Sequence, residues 1–333
     1  MNFPIPRILF YIVATLIAVD AVCVIRGHFL VDLVGYAVPA VFSLLLFAGG
    51  LFYQLKRPDP GIVAMLFGTS FLCAFSAAAS LLNYILLTVT GPRIDLLLAA
   101  IDHSAGFDWV QVMTVMSHHP ALNKMLFLAY ATTLPQIAIL VIVLSLSGRH
   151  QEVYRFCLAV AVGAIVAIGI WATVPSLGAK SMYALPASME HHMALHVTTD
   201  YGRALVALLH NGPGYITPKD VRGLIAFPSY HVVLAGLLIW YARSIVWLRW
   251  PVLILNLVVL ISAPVQGGHH LIDIFGGVAV AIISILLVRR TEAMKLPSLE
   301  AMARGIPTFA IPGMFKPMLS PVSIQPRPPG DAA

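Results

Sequence analysis

Long apolar stretches dominate this sequence and restrict the chain to folds that a lipid bilayer can surround. A transmembrane helix needs roughly 17–25 predominantly apolar residues. Eight stretches approach or exceed that length, at residues 8–25, 29–53, 61–90, 121–146, 153–174, 229–247, 251–266 and 269–289. Charged residues make up only 10% of the 333 residues, against about 25% in soluble domains. The sequence therefore predicts an all-α integral membrane protein, a bundle of about eight transmembrane helices.

Composition also excludes several functional classes. The net charge of +6 comes from basic residues scattered between apolar stretches, so no nucleic-acid partner is expected. Cys23, Cys73 and Cys157 lie far apart within apolar stretches, which is typical of small core residues and not of a disulfide framework or a metal site. The first apolar stretch has no evident small-residue cleavage site, and we interpret it as a retained anchor.

The placement of lysine and arginine predicts the orientation of the bundle. If both termini are cytoplasmic, 13 of the 20 basic residues lie on the cytoplasmic side, as the positive-inside rule requires. Two connections would then face outward. Residues 92–119 have apolar residues at helical spacing and are expected to lie along the membrane surface. Residues 175–228 form a longer outer loop, and connections of that length are usually functional or disordered.

A histidine and an aspartate are four residues apart at the start of the last apolar stretch. His269 and Asp273 share one face of a helix at that spacing. The carboxylate can accept the imidazole Nδ1–H and leave Nε2 free as a nucleophile. Gly267 and Gly268 would let a tetrahedral group approach the backbone, so Gly268 is a candidate phosphate-binding residue.

The Phe-Pro-Ser-Tyr-His string at 227–231 begins the sixth apolar stretch. Ser229 and His231 would stand near a helix N-terminus, where free N–H groups and the helix dipole favour an anion. Ser229 can donate to a phosphoryl oxygen, and His231 can protonate a leaving oxygen as general acid. The two strings would lie at the same membrane level and predict one site for two-step transfer through a phosphohistidine.

The Pro-Ser-x-His string, followed 38 residues later by His-x-x-x-Asp, resembles two signature motifs of the type 2 phosphatidic acid phosphatase superfamily. FPSYHVVLAG, GGHHLIDIFGG, AIDHSAGFDWVQVM and LAYATTLPQ resemble the branch of the fungal inositol phosphorylceramide synthases and their bacterial relatives. The resemblance covers roughly residues 90–290. It implies His269 as nucleophile, Asp273 as its orienting partner, His231 as acid and Ser229 as a phosphate ligand. It also implies metal-independent chemistry on lipid phosphates or phosphodiesters, without a cofactor.

The chain departs from the superfamily pattern at three points. Ser262-Ala263 stands where the third signature has Ser-Arg, and Tyr230 stands where the second has glycine. The first signature, a lysine followed by Arg-Pro, is not recognisable. Lys219 and Arg222 are the nearest upstream cations and are assigned as substitute phosphate ligands, with solvated loop charges as an equal alternative. These losses resemble the transferase branch more than the simple phosphatases.

The expected organisation is an N-terminal transmembrane hairpin at 1–60, a catalytic membrane domain with a six-helix core at 61–290, and a flexible Pro-rich cytoplasmic tail at 291–333. The expected function is phosphoryl or phosphoalcohol transfer on a membrane lipid, including phosphoinositol transfer to a lipid acceptor. The resemblance favours a bacterial inner membrane with the site on the periplasmic face. Three alternatives stay open: a simple lipid phosphate phosphatase, a transporter whose histidines relay protons, and a relative that only binds lipid.

Other polar residues receive structural interpretations. The His-His-x-x-x-His string at 191–196 has zinc-ligand spacing, but no carboxylate–histidine pattern completes a catalytic site, and we interpret these histidines as surface or substrate-rim residues. Asp102 and Asp108 are interpreted as solvated or structural. Tyr130 and Gln136, inside the fourth apolar stretch, are expected to form hydrogen bonds between helices.

Overall fold

The computed structural model describes residues 5–89 and 91–293. These residues form α-helices joined by turns and longer loops, two 3-10 helices (Leu86–Thr88 and Ala179–Ser181) and two strands of two residues each. The helices are α1 (Ile5–Gly27), α2 (Leu33–Lys56), α3 (Pro60–Ile85), α4 (Asp95–Ser104), α5 (Trp109–Ser117), α6 (Pro120–Ala131), α7 (Thr133–Leu146), α8 (His150–Thr173), α9 (Ala187–His191), α10 (Thr199–Asn211), α11 (Tyr230–Ala242), α12 (Arg249–Gln266) and α13 (Leu271–Ala293). The strands are β1 (Leu30–Val31) and β2 (Tyr215–Ile216). The predicted tail lies outside the described residues from position 294 onward.

The prediction of an all-α membrane protein is confirmed. Six helices in the described part of the chain are long and apolar enough to cross a bilayer, and α6 with α7 gives a seventh if the bent pair is one span. Helix α11 is apolar but only 13 residues long. Each of the eight apolar stretches overlaps one of these helices or the bent pair. The number of about eight spans stays a prediction.

The bend of 46° between α6 and α7 has a local cause. The Thr132 hydroxyl donates to the carbonyl of Ala129 at 2.6 Å, competing with the helix backbone, and Pro135 lacks an N–H to donate to the preceding turn. On the α7 side of the bend, Asn256 Nδ2 of α12 donates to Gln136 Oε1 at 2.6 Å. The expected hydrogen bond of Gln136 to another helix is therefore present.

Helix α8 occupies the centre of the bundle and packs against α3, α11 and α13. Close packing of α11 and α13 relies on glycine. A Cβ on Gly277 would lie 2.6 Å from the Ser229 carbonyl oxygen, and one on Gly276 would meet the Phe227 ring at 2.8 Å. Small residues allow such close backbone contacts between membrane helices. Here the contact joins the helices that follow the two predicted signature strings.

Exchange of Gly277 for alanine is expected to lower stability by about 1–3 kcal/mol, the usual effect of overpacking a tight interior. The added methyl must displace the Ser229 carbonyl or the Val232 side chain. Thermal unfolding of the purified protein in detergent measures the effect. Gly169→Ala is the matched control, since a Cβ there has no neighbour within 4 Å. Equal melting temperatures for the two variants would contradict this packing argument.

The connections at one end of the bundle contact one another. Strands β1 and β2 pair in parallel, and Thr217 Oγ1 donates to Asp32 Oδ2 at 2.9 Å. The Tyr84 hydroxyl donates to the carbonyl of Asp220 at 3.1 Å. Ile94 N donates to the carbonyl of Pro175 at 3.0 Å. The segments predicted as surface stretch (92–119) and outer loop (175–228) thus pack together over the start of α11 and α13.

Candidate active site

The connection between α12 and α13 positions the first histidine. Gly268 has φ +62°, in the left-handed region that glycine adopts without strain. A Cβ on Gly268 would also lie 2.6 Å from the Lys180 side chain. Glycine at this position therefore lets the connection turn sharply while another segment packs directly on its backbone.

His269 lies at the end of this turn and is 3% exposed. Its Nδ1 is 3.2 Å from Asp273 Oδ2, and the same oxygen accepts the backbone N–H of His270 at 2.9 Å. The structure thus brings together the pair that the spacing of four residues predicts. Burial lowers the pKa of His269, and the hydrogen bond and charge of Asp273 oppose this effect only in part. The imidazole is consequently held neutral, with Nδ1–H donating to the carboxylate and a lone pair on Nε2.

Ser229 faces that lone pair from the N-terminus of α11. Its Oγ is 3.1 Å from His269 Nε2, and its side chain is fully buried. The Ser229 backbone N–H donates to the carbonyl of Asp273 at 3.0 Å, so the first turns of α11 and α13 are fixed to each other. Three of the predicted residues, Ser229, His269 and Asp273, form one continuous hydrogen-bonded chain.

His231 stands in the first turn of α11 beside the same cluster. Its ring stacks on Tyr130 with centroids 4.3 Å apart and an interplanar angle of 19°. It also lies within electrostatic range of His269 and Lys180. Tyr130, expected to hydrogen-bond between helices, contacts His231 through its ring and so orients the second histidine.

Lys180 places a buried cation at this site, and no motif in the sequence predicts it. Its Nζ donates to the carbonyl of Gly267 at 2.8 Å and lies 5.2 Å from the centroid of the Tyr201 ring. Burial lowers the pKa of Lys180 to about 8, with partial opposition from the Asp273 and Asp95 carboxylates. The sequence signal was weak, because Lys180 is one of several cations in a long loop and has no motif around it.

The two cations that were selected lie farther out. The Arg222 guanidinium is 5.2 Å from the Tyr201 ring centroid, and its backbone N–H donates to the Tyr84 hydroxyl. Lys219 is exposed and lies within electrostatic range of Asp32. Within the described residues, neither side chain hydrogen-bonds to His269 or Ser229.

Helix α4 supplies two buried carboxylates behind the turn at residues 267–270, which is called the nucleophile turn after the role expected for His269. Asp102 accepts the backbone N–H groups of Leu271 at 2.7 Å and Ile272 at 3.0 Å, so it caps α13 from a different helix. This capping contact is the structural role of Asp102. Asp95 accepts from the Ser176 hydroxyl and the Gly178 backbone N–H, which fixes the turn that leads to Lys180.

The remaining histidines of the outer loop do not form a metal site in the structure. His196 stacks on Phe127 with centroids 3.9 Å apart, and His192 Nδ1 lies 2.6 Å from the Ser188 carbonyl. Across residues 5–89 and 91–293, no group of three or more histidine, cysteine or acidic side chains is placed to hold a metal ion. These observations agree with the interpretation of His192 and His196 as surface or rim residues.

Comparison with known proteins addresses the family. The family model described as the PAP2 superfamily matches residues 96–287, which is more than half of the chain. No curated protein and no solved structure matches. The matched range contains both histidine strings and Lys180, and the resemblance at the superfamily level is confirmed, while the branch stays a prediction. The chain belongs to the PAP2 superfamily.

Proposed function

We propose that this protein is a membrane phosphoesterase or phosphotransferase that acts on a lipid phosphate or phosphodiester through a phosphohistidine. The hydrogen-bonded chain from Asp273 through His269 to Ser229 carries the proposal. It presents one neutral imidazole nitrogen next to a hydroxyl donor. Lys180 supplies a buried positive charge. Its Nζ donates to the carbonyl of Gly267, which lies two residues before His269 in the chain. Such a set suits an anionic tetrahedral group.

The first step forms the covalent intermediate. His269 Nε2 attacks phosphorus as the bond from phosphorus to the leaving oxygen breaks, and His231 gives its proton to that oxygen. The Ser229 hydroxyl, which faces Nε2 in the absence of substrate, turns to a phosphoryl oxygen. Lys180 and the backbone around Gly268 hold the other oxygens. Asp273 stabilises the positive charge that develops on His269.

The second step releases the phosphoryl group. His231, now neutral, takes a proton from water or an alcohol, whose oxygen attacks phosphorus while the bond to Nε2 breaks. Water as acceptor makes the protein a phosphatase, and an alcohol makes it a transferase. Ala263, at the position where the superfamily signature has arginine, together with the longer motif resemblance, favours phosphoalcohol transfer such as phosphoinositol transfer to a lipid.

The outer cations and the location complete the proposal. Arg222, beside the same tyrosine ring as Lys180, is proposed to attract the anionic head group, and Lys219 to add positive charge at the rim. The lysine and arginine distribution supports a site on the outer face of the membrane, and the motif resemblance favours a bacterial inner membrane, where that face is periplasmic.

The test is a phosphorus assay on the purified protein in detergent. Phosphatidic acid, a phosphoinositide, and ceramide with phosphatidylinositol are supplied with labelled phosphorus, with and without a free alcohol acceptor. We expect turnover without added metal, and label trapped on the protein in a bond that is labile to acid and stable to base, as a phosphorus–nitrogen bond is. A labelled phosphate ester of the acceptor alcohol identifies the transferase. Free phosphate from a monoester substrate, or a labelled phosphate monoester from a diester substrate, identifies hydrolysis.

Absence of turnover with every substrate, in chelator and with added metal, would contradict the proposal. Proton-coupled uptake by vesicles that contain the protein, without phosphate release, would then support the transporter alternative. Lipid binding without either activity would support a relative that only binds lipid.

A further inference from the structure

Charged groups around the nucleophile turn balance one another. Apart from His269, which is held neutral, this network contains three carboxylates and three basic side chains: Asp95, Asp102 and Asp273, and Arg93, Lys180 and His270. Arg93 pairs with Asp95 at 2.8 Å. Burial of an uncompensated charge is unfavourable by several kcal/mol. The side chains of this network are therefore expected to take the protonation states that keep its total charge near zero.

His270 is the member that the chemistry proposed above leaves unused. It follows the nucleophile directly and is 1% exposed. Its Nδ1 is 3.4 Å from Asp102 Oδ2, and its Nε2 is 3.7 Å from Asp95 Oδ1. Nε2 is buried and has no hydrogen-bond partner among the described residues. The ring thus lies between two carboxylates of α4, on the side of the turn that faces away from Ser229.

We propose that His270 is held as an imidazolium whose charge neutralises the carboxylates of α4, so that the charge of Lys180 is left to act on the substrate phosphate. This inference rests on the proposed function and assigns His270 as a positioning residue, not a catalytic one. If the ring were neutral, the network would carry one net negative charge close to an anionic substrate. Coulomb repulsion over this distance in a poorly solvated site is large enough to weaken binding.

Two further observations support the assignment. Burial by itself lowers the pKa of His270, but the nearby carboxylates of Asp95, Asp273 and Asp102 outweigh this effect, and the net shift is upward. In addition, Ala263 leaves the nucleophile turn without the arginine of the superfamily signature. With Lys180 as the buried cation for the phosphate, phosphate binding depends strongly on whether other cations already neutralise the nearby carboxylates.

The test separates the effect of the His270 charge on activity from the effect of its packing. His270→Gln removes the positive charge and keeps a polar side chain, and Asp102→Asn combined with it restores the balance. A lipid phosphate monoester carries nearly two negative charges at pH 7, and a phosphodiester carries one. We expect kcat/KM for the monoester to fall by about 10- to 100-fold in His270→Gln, with a smaller loss for the diester, and the double variant to recover most of the loss. His103→Gln, which changes an exposed histidine next to Asp102 on α4, is the matched control and is expected to match the native protein.

The outcomes separate the inference from the function beneath it. A native protein that turns over neither substrate contradicts the proposed function, and the inference with it. An active native protein with an unaffected His270→Gln overturns the inference alone. Equal losses for both substrates, deepened by Asp102→Asn, would show a packing role instead. If His270→Gln does not fold, the charge-balanced double variant is still expected to fold and to turn over the monoester, and its failure also overturns the inference.

Discussion

Replacement of His269 by alanine is expected to lower kcat by at least about 10⁴-fold, the effect typical of removing a member of a nucleophile–base–acid set. The variant lacks the imidazole nitrogen that lies 3.1 Å from Ser229 Oγ, so the proposed covalent intermediate cannot form. Labelled phosphorus that is trapped on the native protein should be absent from the variant. Turnover and trapping are measured together on both proteins under identical conditions.

A control must separate loss of the nucleophile from loss of the fold. His103→Ala removes an exposed imidazole from α4 and is expected to retain native turnover. Thermal unfolding of all three proteins shows whether His269→Ala keeps the packing of α12 and α13. A folded His269→Ala protein that still forms a labelled intermediate would place the nucleophile elsewhere and contradict the mechanism.

Exchange of Lys180 for methionine is expected to lower kcat/KM by about 10²- to 10³-fold, as removal of one preorganised electrostatic group at a reacting centre does. Methionine is similar in length but carries no charge, so the space beside Gly268 stays filled while the substrate phosphate loses its buried cation. The Gly267 carbonyl loses a hydrogen bond as well. Steady-state kinetics on a phosphate monoester measure the loss.

The pH dependence gives Lys180 its own signature. Its pKa is lowered by burial to about 8, so the ammonium is present below that pH and is lost as the pH rises through it. For the native protein we expect KM to increase above about pH 8, while in Lys180→Met KM stays high and flat across the same range. Arg203→Met removes an exposed cation paired with Asp200 and serves as the matched control. A native KM that is constant from pH 7 to about 9 would contradict the role of Lys180.

Much of the fold followed from the sequence, because span length and apolar composition are local properties. Each apolar stretch corresponds to a helix or to the bent pair, and Pro60 and Pro120 open α3 and α6 at positions where proline is tolerated. The bend at Thr132 was not predicted. It depends on the Thr132 hydroxyl bonding to its own helix, and the apolar pattern of the stretch gives no sign of that bond.

The candidate site also combines local contacts, which the sequence predicts, with long-range contacts, which it does not. The pairing of His269 with Asp273 is a contact between neighbours on one helix, so the spacing in the sequence predicts it. Lys180 reaches Gly267 across 87 positions of the chain, and Asp102 caps α13 across 169. Contacts over such separations are determined by how loops fold over the bundle, and no local pattern in one sequence specifies them. Lys219 and Arg222 were predicted as phosphate ligands because they lie close to Ser229 in the sequence.

The paired strands β1 and β2 join the first two helices, which lie outside the family match, to the loop that covers the site. Asp32 N donates to the Ile216 carbonyl at 2.9 Å, and the Asp32 carboxylate both caps α2 and accepts from Thr217. A lipid head group that enters by lifting the 215–217 segment must break these bonds or carry the connection between α1 and α2 with it. Any outward movement of the 215–217 segment is therefore coupled to the connection between α1 and α2.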